Sequence, residues 1–468
     1  MKRIMRVWDI VFMNIAAVLA IRWLPIAAAC GASSILLWIA AILLFAIPLG
    51  LVSTELATAW PDQGGMYIWV REAFGKRAGF IVSWFYWVNN FFYYPAVLTF
   101  ITVIMASIIN PELAHNKFFV CSCVVGFLWI STFINIHGMK IFSKFSNLAG
   151  IFGVLLPLVI LIILGFCSVW VWQRPIATDY SWVNWLPNFG SKSNLGAFSI
   201  LLFSMAGLEL IPTMAGETEN PQKTFPRATF ISAICIASLY IISTVAITFV
   251  LSPGKIGAAS GVGDALLLLE KELHLPFLVL IVGGMIVLGS IGSIGVWIVV
   301  PIKMLLESCR EGVLPKWFTQ INKDGMPVRA LLVQAVIVTL VIICTSFLPS
   351  INAFFGTLAL MAVITMFIPY AFMFLAFIKL RRQYPERVRP YRVPGSKIVS
   401  YLIAGTGLLS VFLAIFLPFI LPPNDLQNAH DILLYRIELA AGPIVFAAIG
   451  YGIYWLFELR QKSLSKFG

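Results

Sequence analysis

Two ionisable residues stand deep inside long apolar stretches of this 468-residue chain. Arg22 lies in Ala20-Ile21-Arg22-Trp23-Leu24-Pro25, and Glu209 in Ser204-Met205-Ala206-Gly207-Leu208-Glu209-Leu210-Ile211-Pro212. A charge within hydrocarbon is costly, and such residues usually mark a pathway. At a rise of 1.5 Å per residue, each sits roughly 20 Å from the face where its span begins. Each also adjoins a helix-breaking sequence. Proline lacks an N–H and clashes with the preceding turn, yet suits the first position of a new helix. The spacing therefore predicts a broken helix whose second half begins near Pro25, with Trp23, Ile26 and Ala27 around its start. Unpaired N–H groups and a positive dipole end suit a carboxylate. In the second run, Ala206 and Gly207 permit unwinding, and freed carbonyls with Glu209 suit an ammonium or a proton. This is the chemistry of binding and releasing a zwitterion. The plainer alternatives are two proline kinks and a structural Arg22–Glu209 ion pair.

Further candidates flank these. Asn89, Asn90, Tyr93 and Tyr94 precede Pro95 and either line a cavity or bond neighbouring helices. Ser290 and Ser293, within Gly289-Ser290-Ile291-Gly292-Ser293-Ile294-Gly295, either allow close helix packing or present hydroxyls to a substrate or ion. Glu55 is expected to tie down the adjacent loop. His115, His274 and His430 fall in predicted outer loops and His137 in an inner one, and simple solvation is the expected state of all four. No Walker A, His-Glu-x-x-His or Gly-x-Ser-x-Gly sequence is present, so ATP-driven pumping and common membrane hydrolysis have no support.

The elements that must position these residues are membrane spans. Apolar residues form 60% of the chain and charged residues 11%, too little charge to cover a soluble protein of this size. Apolar windows of roughly 20 residues or more fall at 8–31, 33–57, 78–109, 117–136, 145–172, 195–214, 226–251, 275–306, 327–348, 351–379, 398–420 and 434–459. They are called spans 1 to 12 below. An even number puts both termini on one side. With the termini inside, 25 of the 32 lysines and arginines fall on the inner side, 6 in outer loops, and Arg22 within a span. That bias predicts cytoplasmic termini. The net charge of +12 is thus an orientation signal, not a nucleic-acid-binding surface. The seven cysteines are scattered through apolar segments without metal-ligand spacing and read as small buried hydrophobes. The N-terminus imitates a signal peptide as far as Cys30, but Arg22 and Pro25 interrupt its apolar core, so the first span is expected to be retained. Interruptions in spans 1 and 6, five apart, predict two inverted five-helix halves, 8–172 and 195–379, followed by two further helices at 398–459. The expected fold is an all-α membrane protein forming one transporter domain over 1–468, with its site at the midplane.

At these residues the chain resembles the glutamate/GABA antiporter family of the amino acid–polyamine–organocation (APC) superfamily. The similarity is carried by Glu55-Leu-Ala-Thr-Ala-Trp-Pro-Asp-Gln-Gly-Gly65, Gly207-Leu-Glu209, Glu217-Thr-Glu-Asn-Pro221, Trp297-Ile-Val-Val-Pro301, Leu314-Pro315, Asn322-Lys-Asp-Gly-Met-Pro-Val328 and Leu421-Pro-Pro-Asn-Asp425. The resemblance implies a leucine-transporter-type fold with broken helices 1 and 6, alternating access, and amino-acid exchange often linked to acid pH. It also implies a short outer-gate helix near Asp264–Glu272, in a multi-pass protein of the bacterial inner membrane that needs no cofactor. Three departures stand out. Arg22 replaces a substrate-contacting tyrosine, Ser293 stands where a helix 8 glutamate is expected, and Thr365 lies near the position of a helix 10 tyrosine. The chain also stops soon after span 12, where those exchangers carry a C-terminal plug. An added arginine and a lost carboxylate favour anionic or zwitterionic substrates over cationic ones, provided Glu209 does not neutralise Arg22. The expected partners are a small amino-acid substrate, membrane lipid and a coupled proton. The rival functions are polyamine or cationic amino-acid transport, a channel, and a transporter-like nutrient sensor.

Overall fold

The computed structural model describes residues 6–61, 64–136, 151–187, 192–209, 218–309, 312–323, 326–422 and 428–464, and the side chains of 292–300 lie outside the description. Nine described helices are long and apolar enough to cross a membrane: Gly31–Ala59, Lys76–Ile109, Lys117–Ile136, Phe152–Trp170, Lys223–Val250, Val328–Thr345, Ile351–Gln383, Lys397–Ile420 and Ala429–Ser463. They coincide with predicted spans 2, 3, 4, 5, 7, 9, 10, 11 and 12. Helix Gly284–Ser308 falls on span 8. Residues 145–150 of span 5 and 210–214 of span 6 lie outside the described residues.

Local sequence chemistry sets many of the boundaries. Ser350 and Ser396 accept the backbone N–H of Ala353 and Val399, capping the starts of spans 10 and 11. Pro221 opens span 7 at a position where its missing N–H costs nothing. In span 2 the turn Ile42–Ala46 widens to a π-helix just ahead of Pro48, which relieves the clash of the proline ring with the preceding turn. Two short helices lie off the spans. Met66–Phe74 was not foreseen as a helix; it is amphipathic and lies in the polar segment between spans 2 and 3. Gly261–Glu272 begins three residues before the expected outer-gate helix.

Spans 3 and 10 form the centre, with 78% of the most apolar window buried in each, against 17% for span 12. Apolar burial does not separate a helix–helix contact from a helix–lipid one, so polar bonds help fix which helices meet. Asn14 Nδ2 donates to Ser232 Oγ at 2.9 Å, joining spans 1 and 7. Trp87 Nε1 donates to Gln334 Oε1 at 2.8 Å, joining spans 3 and 9. Asn89 Nδ2 donates to the Ala362 carbonyl at 2.7 Å, so Asn89 takes the helix-bonding alternative, between spans 3 and 10.

Glu55 ties down more distant chain than its adjacent loop. Its carboxylate accepts from Arg381 Nε at 2.7 Å and Arg381 Nη2 at 2.5 Å, from the Val393 N–H at 2.7 Å, and faces Arg389 Nε at 3.4 Å. The group is 1% exposed. Arg387 reaches the end of the same helix, donating to the Ala59 carbonyl at 3.1 Å and lying over the Trp60 ring. The end of span 2 is thereby locked to the end of span 10 and the segment that follows it.

Candidate substrate site at two helix interruptions

Span 1 stops being helical at Val18. Leu19 (ψ 123°) and Ala20 (φ −143°, ψ 118°) are extended. The chain then resumes as a 3-10 turn, Ile21–Trp23, and a short helix, Leu24–Ala28, that takes Pro25 in its first turn. The helical second half is only five residues long, so its dipole is small and Arg22 supplies most of the positive charge. Span 6 runs as helix Lys192–Ser204 and unwinds at Met205–Gly207, where Gly207 adopts φ +115°, a conformation that favours glycine. Its continuation, with Pro212 and Glu217, lies outside the described residues.

The interruptions touch. A β-carbon on Gly207 would come within 3.0 Å of Val18 Cγ2, the side chain of the last helical residue before the first break. Around Arg22 the walls are aromatic. Its guanidinium lies 4.9 Å from the centroid of Trp23 and 5.0 Å from that of Tyr93, and Nη2 donates to the Tyr93 hydroxyl. Phe203 packs edge-on to Trp23 at 5.7 Å and to Tyr93 at 6.1 Å, and Phe355 lies 6.2 Å from Trp23. Cation–π contacts hold a guanidinium in place without neutralising it.

Glu209 is 4% exposed and held by neutral donors. Oε1 accepts from the Tyr370 hydroxyl at 2.7 Å and the Tyr86 hydroxyl at 3.3 Å, and Oε2 accepts the Gly207 N–H at 2.8 Å. Among the described residues no ion pair joins Arg22 to Glu209, so the two are not a structural pair there. Among the described residues, four buried polar atoms on spans 1, 3, 6 and 10 have no hydrogen-bond partner: Arg22 Nε, Tyr94 OH, Ser199 Oγ and Thr357 Oγ1. Hydroxyls inside helices ordinarily bond back to a carbonyl three or four residues earlier, as Ser204 and Thr365 do. Ser199 and Thr357 lie on spans 6 and 10, and Tyr94 on span 3, so with Arg22 the unused hydrogen-bonding capacity is spread over four spans.

The other sequence candidates distribute as follows. Pro25 meets helix Gly261–Glu272, since a β-carbon on Gly261 would lie 2.9 Å from Pro25 Cβ. Ile26 and Ala27 are buried in the short second half, Asn90 is buried on span 3, and Ala206 is half-buried in the unwound turn. Thr365 bonds to the carbonyls of Met361 and Ala362 and accepts from Asn89 at 3.4 Å. Five residues further along the same helix, Tyr370 is the phenol on Glu209. Ser293 is in span 8, with its side chain outside the described residues. Sequence reasoning missed Tyr86, Phe203, Tyr240, Phe355 and Tyr370. Their one sequence mark is a polar or large aromatic side chain inside an apolar span, which 37 phenylalanines and 13 tyrosines make common. A cavity of about 240 Å³ lined by Tyr67, Arg71, Lys76, Glu307 and Tyr454 shares none of the site residues.

Interrupted helices meeting inside a bundle, with charges at the interruptions, are the features of a membrane transporter. The amino acid permease family matches residues 5–446. The chain belongs to that family, within the APC superfamily of multi-pass membrane transporters and antiporters. It is 39% identical over 98% of its length, and 97% of the relative's, to an uncharacterized transporter of Legionella pneumophila. It is 28% identical to a probable agmatine/putrescine antiporter of Lactococcus lactis, covering 90% of this chain and 88% of that one. It is 26% identical to a glutamate/gamma-aminobutyrate antiporter of Lactococcus lactis, covering 89% and 84%.

Proposed function

We propose that the protein is a secondary amino-acid antiporter working by alternating access, in which the substrate carboxylate meets Arg22 and the start of span 1's second half, and the ammonium lies near the span 6 interruption. The observation that carries this reading is the contact of two interruptions bearing Arg22 and Glu209, each with its own phenols instead of each other. Arg22 Nε, Tyr94 OH, Ser199 Oγ and Thr357 Oγ1 supply unused hydrogen-bonding capacity for a zwitterion. Pro25, Ile26, Ala27, Asn90, Ala206, Gly207, Ser293 and Thr365 complete the proposed lining, and Glu209 is the group through which a proton is coupled. The scaffold is twelve spans, with 1–5 and 6–10 inverted about the site. Both termini face the cytoplasm from a bacterial inner membrane, which fits the charge bias of the loops.

Relatives named for glutamate and γ-aminobutyrate and for agmatine and putrescine pose two substrate classes. An arginine with no carboxylate partner among the described residues repels a diamine and attracts a carboxylate, so the first class is favoured. Counterflow in proteoliposomes against the twenty amino acids, γ-aminobutyrate, agmatine and putrescine tests this. The expected result is exchange of one or more acidic or neutral amino acids, with no competition from the two amines. Efficient putrescine exchange would establish the amine class instead, and an uncoupled conductance would remove the antiporter reading.

A further inference from the structure

We propose that Tyr240 is the positioning residue that holds the two interrupted helices in register, its hydroxyl standing in for backbone hydrogen bonds that the interruptions forfeit. Tyr240 lies on span 7, in neither broken helix, and is fully buried. In a continuous helix the Ala20 N–H would bond to the carbonyl four residues earlier, and the Val18 carbonyl would accept from the Arg22 N–H. The extended Leu19 and Ala20 remove both bonds, and inside a bilayer no water replaces them. The Tyr240 hydroxyl accepts the Ala20 N–H at 3.0 Å and donates to the Val18 carbonyl at 2.9 Å. The same oxygen lies 3.4 Å from the carbonyl of Ser204, the last residue of the first half of span 6. One hydroxyl proton therefore has an acceptor at the edge of each interruption, and the nearer belongs to span 1.

The ring that presents this hydroxyl is firmly seated. It stacks on Trp38 of span 2 at 4.6 Å with planes 13° apart. Trp38 Nε1 donates to Thr244 Oγ1 at 3.0 Å, and Thr244 in turn donates to Tyr240's own carbonyl at 2.7 Å. Spans 2 and 7 together thus hold the oxygen at the meeting point of spans 1 and 6. Arg22 is two residues beyond Ala20, so a loosened break displaces the guanidinium and its aromatic walls. Gly207, against Val18, shifts with it, and Glu209 follows through its bond to the Gly207 N–H. Tyr240 touches no proposed substrate contact directly. The inference rests on the two interruptions forming the site, and is indifferent to which substrate they take.

Tyr240→Phe removes the oxygen and keeps the ring and its stacking. Thr244→Val weakens the seating of the ring and keeps the hydroxyl. Hydrogen–deuterium exchange of the peptide spanning Ala20 and counterflow kinetics are read on both variants in the full-length protein. Y240F is expected to exchange that peptide at least ten times faster and to raise KM about tenfold with a smaller change in kcat, while T244V stays within twofold on both. An unchanged KM in Y240F overturns the proposal even if the peptide is deprotected, since the hydroxyl would then be merely structural. Equal effects of the two variants also overturn it. Should Y240F not fold, the wild-type protein decides: protection of the Ala20 amide by a hundredfold or more supports the proposal, and weaker protection overturns it. A protein that exchanges none of the counterflow compounds sinks the transport reading, and the amide readout, wild type against Y240F, still decides this one.

Discussion

Glu55 and Glu209 are both carboxylates buried among helices, and they are held in opposite ways. Glu55 is surrounded by charge: Arg381 binds it with two nitrogens, Arg389 stands at 3.4 Å, and a backbone N–H completes the shell. Among the described residues Glu209 is held by neutral donors, including two phenols and the Gly207 N–H. A carboxylate paired with arginines is locked, because removing either partner leaves a buried unpaired charge. A carboxylate held by neutral donors can take up a proton or an ammonium and release it again by exchanging partners, without stranding an opposite charge. The first arrangement suits a fixed joint between spans 2 and 10, and the second a site that must bind and let go.

The largest expected effect separates these roles. Glu209→Gln should lower counterflow at least a hundredfold while leaving membrane insertion and thermal stability near wild type. Unchanged rates and pH dependence would remove Glu209 from the mechanism. Glu55→Gln should do the reverse: breaking a buried charge pair costs about 3–5 kcal/mol, visible as a lowered thermal transition in detergent. If E55Q is as stable as wild type, the locked joint is not a joint. Next comes Arg22→Met, which tests whether the positive charge selects substrate. Exchange of acidic or neutral amino acids should fall about tenfold or more, and putrescine should begin to compete. A variant that still excludes putrescine would place selectivity elsewhere.

The smallest effect concerns a third carboxylate, outside the membrane spans. Asp264 lies in helix Gly261–Glu272, where burial raises its pKa above the usual 3.8 against opposing help from the Ser260 hydroxyl and nearby His115. A raised folded-state pKa means the folded protein binds the proton more tightly than the unfolded chain. Stability from this group is therefore lost as pH climbs from about 4 through the raised value, and the loss is complete above it. Asp264→Asn should stabilise the protein slightly at neutral pH and not at all below about pH 4, read as the difference in melting temperature at the two pH values. A pH-independent difference would show that Asp264 is charged at no folding cost.

Much of this architecture was legible before any coordinates. Span 4 runs Lys117–Ile136 as its apolar window indicated, and span 11 differs from its window by one residue at the start, because lipid selects for unbroken apolar length and little else. The interruption of span 1 was also marked in one dimension, by Arg22 and Pro25 within an otherwise apolar run. Tyr370 was not. The resemblance directed attention to Thr365, but the phenol on Glu209 comes from the next turn of the same helix, and helical periodicity alone does not tell which turn meets another span. Glu55 shows the same gap from the other side. Its place near the end of span 2 followed from sequence, whereas its partners lie more than three hundred residues away.

Sequence by itself determined the solvent, the spans, their orientation bias and the two places where a helix would fail, since each depends on composition or on a residue's own backbone preferences. Only the tertiary structure decided what those failures face. Whether Arg22 pairs with Glu209 or with Tyr93, and which hydroxyl meets the bare backbone of Ala20, depends on how helices rotate and approach. Those choices are made by packing between distant segments, where a shift of one helical turn replaces every neighbour.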